Sequence, residues 1–170
     1  MAKPGSTSSS LTGSAGVYYV AARLNAMNIQ CAPTFGNVPH LDMLVSSHKG
    51  SALISLSVKS TNWGMRTRGR GIDKAPHHYE WDIGWTSARV SNEKLFFALV
   101  DLKEFKELPD VFIVPSKVIA KYFEKGPEGW PRARYHELIE NLAPYKNNWD
   151  SILDLLKELD DVVPPELLAD

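Results

Sequence analysis

A mixed α/β sheet of about five strands, flanked by helices and followed by a C-terminal helical extension, is the fold class this sequence predicts. Three observations carry the prediction. An apolar repeat at helical spacing opens the ordered part of the chain, several apolar runs of strand length fill its middle, and helical spacing returns towards the end.

Residues 1–12 contain Pro4, Gly5 and a Ser/Thr cluster, and bury too little apolar area to offset the entropy of ordering, so a disordered tail is expected there. Structure is expected to begin near Thr12-Gly13-Ser14. Val17, Val20, Ala21, Leu24 and Met27 then recur on one helical face, with Arg23 and Asn25 outward and Asn28 as the stop. Residues 29–34 are a short strand candidate ended by Pro33, before the turn formers Phe35, Gly36 and Asn37.

Residues 42–59 read as a β-hairpin: two apolar runs joined by the polar turn Ser46-Ser47-His48-Lys49-Gly50-Ser51. In the second run Ala52, Ile54, Leu56 and Val58 fall on one face and Ser55, Ser57 and Lys59 on the other, because strand side chains alternate. Residues 60–76 follow as a long exposed loop, in which Trp63, Arg66, Arg68, Arg70 and Lys74 stand among Gly64, Gly69 and Gly71. It is the concentrated positive patch of the chain.

Residues 77–85 predict an aromatic strand, edge or half-buried. Residues 95–102 and 111–114 are nearly continuous apolar runs, as expected of strands covered on both faces. Pro115-Ser116 then caps a helix with Val118, Ile119, Tyr122 and Phe123 on its apolar side. Gly126-Pro127-Glu128-Gly129-Trp130-Pro131 breaks the chain. Beyond it Tyr135, Leu138, Ile139 and Leu142 predict one helical stripe, and Trp149, Ile152, Leu153, Leu156 and Leu159 another, ended by Pro164-Pro165. The expected organisation is thus a tail over 1–12, an α/β domain over 13–125 and the helical extension over 126–170.

With 170 residues, 44% hydrophobic and 23% charged, the chain is long enough to bury a sizeable core. A formal net charge of −1 supplies no global field for nucleic acid, so any such binding must rest on a local basic patch. The lone Cys31 excludes an internal disulfide and a zinc cluster, and reads as a small hydrophobe beside a strand. No apolar run reaches the length of a membrane span and the N-terminus lacks a signal-peptide core, so a cytoplasmic protein without a membrane partner is expected.

Asp42 and Lys59 are charges that purely structural strands would not need. If the hairpin is tight, Asp42 shares a surface with Ser57 and Lys59, and an acid and an ammonium converge. Such a pair can hold a divalent cation through the carboxylate while the lysine steadies a phosphate or an attacking water. The same residues can equally form a plain cross-strand ion pair, which contributes little.

These motifs resemble those of the restriction-endonuclease-like PD-(D/E)xK nuclease superfamily, and in particular its small resolvase-like members. The helix opened by Gly13-Ser14-Ala15-Gly16 resembles that family's first helix, Leu41-Asp42-Met43-Leu44-Val45 its aspartate strand, and Ile54-Ser55-Leu56-Ser57-Val58-Lys59 its (D/E/Q)-x-K strand. Residues 96–102 and 111–116 suit its later strands, so the resemblance covers roughly 12–124. It implies Asp42 as a metal-binding carboxylate, Lys59 as the lysine that orients water or stabilises phosphate charge, and Mg²⁺ as cofactor of an active member. The sequence departs at two places. Ser57 stands where Glu, Asp or Gln is usual, and Val17 where related members often carry a helical Glu, so the implied active site is degenerate. A hydroxyl is a weak ligand for a hard cation and valine is none. Asp82 is the first candidate for a substitute metal ligand, ahead of Glu80 and Asp101; His77 and His78 could bind metal or phosphate.

Three functions follow as expectations. The first is a nuclease-fold protein that binds nucleic acid, DNA before RNA, with phosphodiesterase activity impaired or lost. The second is an active Mg²⁺-dependent DNA endonuclease using Asp42 and Lys59, with Arg66, Arg68, Arg70, Lys74 and Trp63 gripping the nucleic acid. The third is a protein-interaction module, in which Trp63, Trp81, Trp85 and the C-terminal helices contact a partner or a second copy.

Overall fold

The opening apolar repeat forms helix α1 (Ser9–Ala26) in the computed structural model, which describes residues 9–35, 38, 40–124 and 131–162. Thr12, Gly16, Val20 and Leu24 are its buried positions, one every turn, and Asn28 at φ 60° takes the left-handed conformation that ends a helix. The helix begins at Ser9, a turn before the expected start; residues 1–8 of the expected tail lie outside the described residues.

Strands β1 (Gln30–Pro33), β2 (Met43–Ser46) and β3 (Leu53–Thr61) follow. The expected hairpin is β2 and β3, antiparallel with Met43 opposite Leu56 and Val45 opposite Ile54. Residues 60–76 are not one long loop. They hold the end of β3, strand β4 (Met65–Arg68) and the start of β5 (Ala75–Asp82), and β4 and β5 form an antiparallel hairpin. A register shift between Arg66 and Thr67 breaks the alternation that would have marked β4 as a strand. In the connecting turn Gly69 has φ 105°, and a Cβ there would lie 2.3 Å from the Asp73 carbonyl oxygen, so the turn needs glycine.

Strand β5 stops at Asp82, and Gly84 (φ 78°) turns the chain into the single-turn helix α2 (Trp85–Ala88), so Trp85 is not part of a strand. Strands β6 (Leu95–Asp101) and β7 (Asp110–Pro115) are the two apolar runs, and helix α3 (Ser116–Glu124) follows directly. The first C-terminal stripe is corrected. Residues 134–138 form strand β8 (Arg134–Leu138), and Ile139 and Leu142 belong to the one-turn helix α4 (Ile139–Leu142). The second stripe is helix α5 (Asp150–Val162). The chain break expected at 126–131 lies largely outside the described residues.

The main sheet has five strands in the order β1-β2-β3-β6-β7, with β3 parallel to β6 and the other pairs antiparallel; β4-β5-β8 form a smaller antiparallel sheet. The mixed five-stranded sheet flanked by helices is the predicted fold class. Its two faces carry two cores. Ile54, Leu56, Val58, Ala98, Val100, Val111 and Ile113 meet Val20 and Leu24 of α1, Trp149 just before α5, and Ile152 and Leu156 of α5. Phe97, Leu99, Phe112 and Val114 meet Tyr79, Trp81 and Tyr135 of the small sheet and Ile119 of α3. The apolar face of α5 is therefore used within the chain, and Asp160 further ties that helix to the hairpin turn by accepting hydrogen bonds from the hydroxyls of Ser47 (2.6 Å) and Ser51.

Candidate functional site

Strand alternation decides what stands beside Lys59. In the parallel register Ser57 lies next to Phe97 and Lys59 next to Leu99, on the face opposite Leu56 and Val58. Asp42 precedes β2 by one residue. With Met43 opposite Leu56 and the Asp42 amide donating to the Leu56 carbonyl (2.9 Å), its carboxylate arrives beside Ser57. Asp42 Oδ2 accepts from the Val58 amide at 2.7 Å and from Ser57 Oγ at 3.2 Å. The carboxylate thus satisfies a backbone N–H that β2 begins too late to reach, and it fixes the serine hydroxyl.

Ser57 has no solvent-accessible surface, while Asp42 and Lys59 are half-buried. Among the described residues Lys59 has no hydrogen-bonding or ion-pair partner, and the cross-strand ion pair with Asp42 is not formed. Val17 is partly buried against the core between α1 and the sheet.

The other acids are engaged elsewhere. Asp82 is exposed at the end of β5, 3.9 Å from Arg132. Asp101 is buried and accepts from the Gly64 amide (2.9 Å) and the Lys103 amide (3.2 Å), which makes it the anchor of the turns leaving β3 and β6. Among the described residues no group of three or more His, Cys, Asp or Glu is arranged to hold a metal ion. Asp42 offers one carboxylate oxygen free of these hydrogen bonds, and the enclosed Ser57 hydroxyl is already spent on that carboxylate. The described residues do not assemble the ligand set that Mg²⁺ needs.

The basic residues lie on the small sheet and its turn. One face of this sheet is core, with Tyr79, Trp81 and Tyr135 buried; the other presents Arg66, His78, Glu80, Arg134 and His136. Glu80 accepts from Arg66 Nε at 2.9 Å and from Arg134 at 2.7 Å. Burial pushes its carboxyl up, but the hydrogen bond from Arg66 and the charge of Arg134 outweigh this and hold it below the usual carboxylate range. Arg66 also donates to the Trp63 carbonyl (2.6 Å), so its guanidinium is fixed by two partners. Arg68 reaches His77 (3.4 Å), and Arg70 and Lys74 are exposed on the turn between β4 and β5. Trp63 is 45% exposed. Trp81, expected as an exposed contact residue, is buried and donates its indole N–H to the Val100 carbonyl (3.0 Å); Trp85 lies against Phe123 and beneath Arg89.

Arg134, His136 and Tyr122 are functional candidates that the sequence alone does not single out. The signal for the first two is the alternation Arg132, Ala133, Arg134, Tyr135, His136, in which Ala133 and Tyr135 are buried and the others exposed. With the residues of β4 and β5 they line a concavity of about 640 Å³ over the small sheet.

No family model and no curated protein matches the sequence. Among solved structures, the bacterial homing endonuclease I-Ssp6803I superposes with a TM-score of 0.61 over 93% of this chain and 100% of its own, at 14% sequence identity. At that identity the likeness is one of fold, and the fold shared is that of an endonuclease. Among the described residues no helix is long and apolar enough to cross a membrane.

Proposed function

We propose that this chain is a nucleic-acid-binding protein built on a restriction-endonuclease-like PD-(D/E)xK fold, with phosphodiesterase activity impaired or lost. The observation that carries the reading is the state of Ser57: enclosed, and hydrogen-bonded to the one carboxylate that a cation would need. In-line phosphodiester hydrolysis requires strong neutralisation of charge building on the phosphate oxygens. A lone carboxylate whose Oδ2 already serves Val58 and Ser57 is a weak anchor for the ion that would supply it. The exposed cations of the small sheet require no metal to attract a phosphate backbone. DNA is the expected nucleic acid, given the fold shared with a homing endonuclease.

One observation favours a surviving activity. Lys59 is unpartnered among the described residues and stands on the same face as Asp42, where its ammonium could meet a phosphate. The test is incubation of the chain with supercoiled, linear and branched DNA and Mg²⁺ or Mn²⁺, beside Asp42→Ala and Lys59→Ala. The proposal expects a mobility shift without cleavage, and a shift that survives chelation by EDTA. Cleavage by the wild type that both variants abolish would establish the active enzyme instead. Absence of both cleavage and shift would refute the nucleic-acid reading.

A further inference from the structure

The concavity over the small sheet holds more than fixed charge. Its floor brings three of the five histidines of the chain together from two strands: His77 and His78 on β5 and His136 on β8. His77 Nδ1 lies 3.1 Å from His78 Nδ1, the His78 and His136 rings are 6.0 Å apart between centroids, and Tyr122 of α3 reaches His136 Nδ1 at 2.9 Å. Arg68 of β4 and Arg134 of β8 also line it. Two nitrogens at 3.1 Å cannot both carry a proton along the same line, so the contact between His77 and His78 requires one of them to be neutral.

The other charges facing the histidines nearly balance. Glu80 is shared by Arg66 and Arg134, and Glu137 accepts from the Leu138 amide and the Asn141 side chain, both at distances below 3 Å. Neither carboxylate takes a hydrogen bond from a histidine among the described residues. Burial, then the neighbouring His77 and His136, holds the His78 imidazole below its ordinary range. The free protein therefore holds the His78 imidazole short of a proton beside the guanidiniums of Arg68 and Arg134. Metal chelation is not the natural use of this cluster, because no three of these groups are arranged around a common point among the described residues.

We propose that the concavity is a phosphate site that charges as it fills, in which a backbone phosphodiester seated between Arg68 and Arg134 stabilises protonated His77, His78 or His136. The proposal rests on the nucleic-acid reading above and names where on the chain the backbone lies. No covalent bond forms or breaks. Protons come from solvent, and the anion offsets the burial and the neighbouring positive charge that disfavour a proton on His78. By linkage, binding that takes up protons strengthens as pH falls through the histidine range.

The test follows the five histidine Cε1 protons of the full chain by NMR from pH 5.5 to 8, alone, with a short DNA duplex and with inorganic phosphate, alongside duplex affinity at pH 6 and 7.5. The duplex is expected to raise the titration midpoints of the cluster and leave those of His40 and His48 in place. Its affinity should rise about three- to tenfold between pH 7.5 and 6. His136→Gln, which keeps a polar side chain at that position, should reduce that rise. Duplex binding with unmoved histidine midpoints and a flat pH profile would overturn this site and leave the nucleic-acid reading standing. Midpoints moved by inorganic phosphate but not by the duplex would overturn the nucleic-acid occupant. Failure of the duplex to bind at any pH would overturn the proposal together with the reading on which it rests.

Discussion

Glu80 restrains the basic face of the small sheet, since one carboxylate holds both Arg66 and Arg134. Replacing it with glutamine removes a negative charge from the proposed path of a phosphate backbone and releases two guanidiniums. Glu80→Gln is expected to tighten DNA binding several-fold at low salt, an effect that added salt diminishes and that fluorescence anisotropy would measure; weaker binding would mean that the fixed positions of the arginines matter more than their charge. Lys59 is the opposite case, a cation without a partner among the described residues. Lys59→Met should leave the thermal midpoint nearly unchanged, and a large fall would show that the ammonium supports the fold. At Asp110, burial raises the carboxyl, but hydrogen bonds and charge from Lys146 and Lys103 more than offset this and hold it below the ordinary value. A depressed carboxylate contributes stability above its unfolded value, about 3.9, and loses it as pH falls through the folded value. Asp110→Asn should therefore cost roughly 1.5–3 kcal/mol at pH 7 in urea denaturation and progressively less below about pH 4. A constant deficit across that range would contradict the assignment.

At the scale of elements, helix α1 lies so close to β3 that a Cβ on Gly16 would come within 1.6 Å of Ser60 Oγ and 2.7 Å of its Cβ. Gly16→Ala gains about 0.8–1 kcal/mol of helix propensity, yet overpacking at this crossing costs typically about 1–3 kcal/mol. Net destabilisation is expected, relieved in the double variant with Ser60→Gly; an unchanged midpoint in the single variant would contradict the close approach. The hairpin of β2 and β3 was legible because Ile54, Leu56 and Val58 alternate with Ser55, Ser57 and Lys59 and a polar turn joins the runs. The small sheet was not. A register shift breaks β4 and glycines flank it, while the alternation of Ala133 and Tyr135 at the start of β8 runs into Leu138, Ile139 and Leu142, whose spacing imitates a helix. The partner strand β5 is also far along the chain from β8, and cross-strand pairing at such separation leaves no local trace.

For the molecule as a whole, the order of helix, strands and helices carried the fold class, because β6 and β7 are buried on both faces and demand a layer on each side. What supplies those layers was less visible. The C-terminal segment provides both a strand for the small sheet and the helix whose Ile152 and Leu156, with Trp149 just ahead of it, complete the first core. Asp42, Ser57 and Lys59 were legible as neighbours on one surface, whereas the burial of Ser57 depends on what covers that surface and no local pattern reports it. On the proposed reading, cations on the small sheet and its turn hold a nucleic-acid backbone, apart from Asp42, Ser57 and Lys59. The salt dependence of duplex binding in EDTA, compared between wild type and the combined Arg68→Ala, Arg70→Ala and Arg134→Ala variant, tests this most directly. Binding without metal is predicted, with a slope of log affinity against log salt that is shallower in the variant by about 2–3, since each phosphate an arginine neutralises adds about 0.9 to it. No binding in EDTA, or the same slope in both proteins, would contradict it.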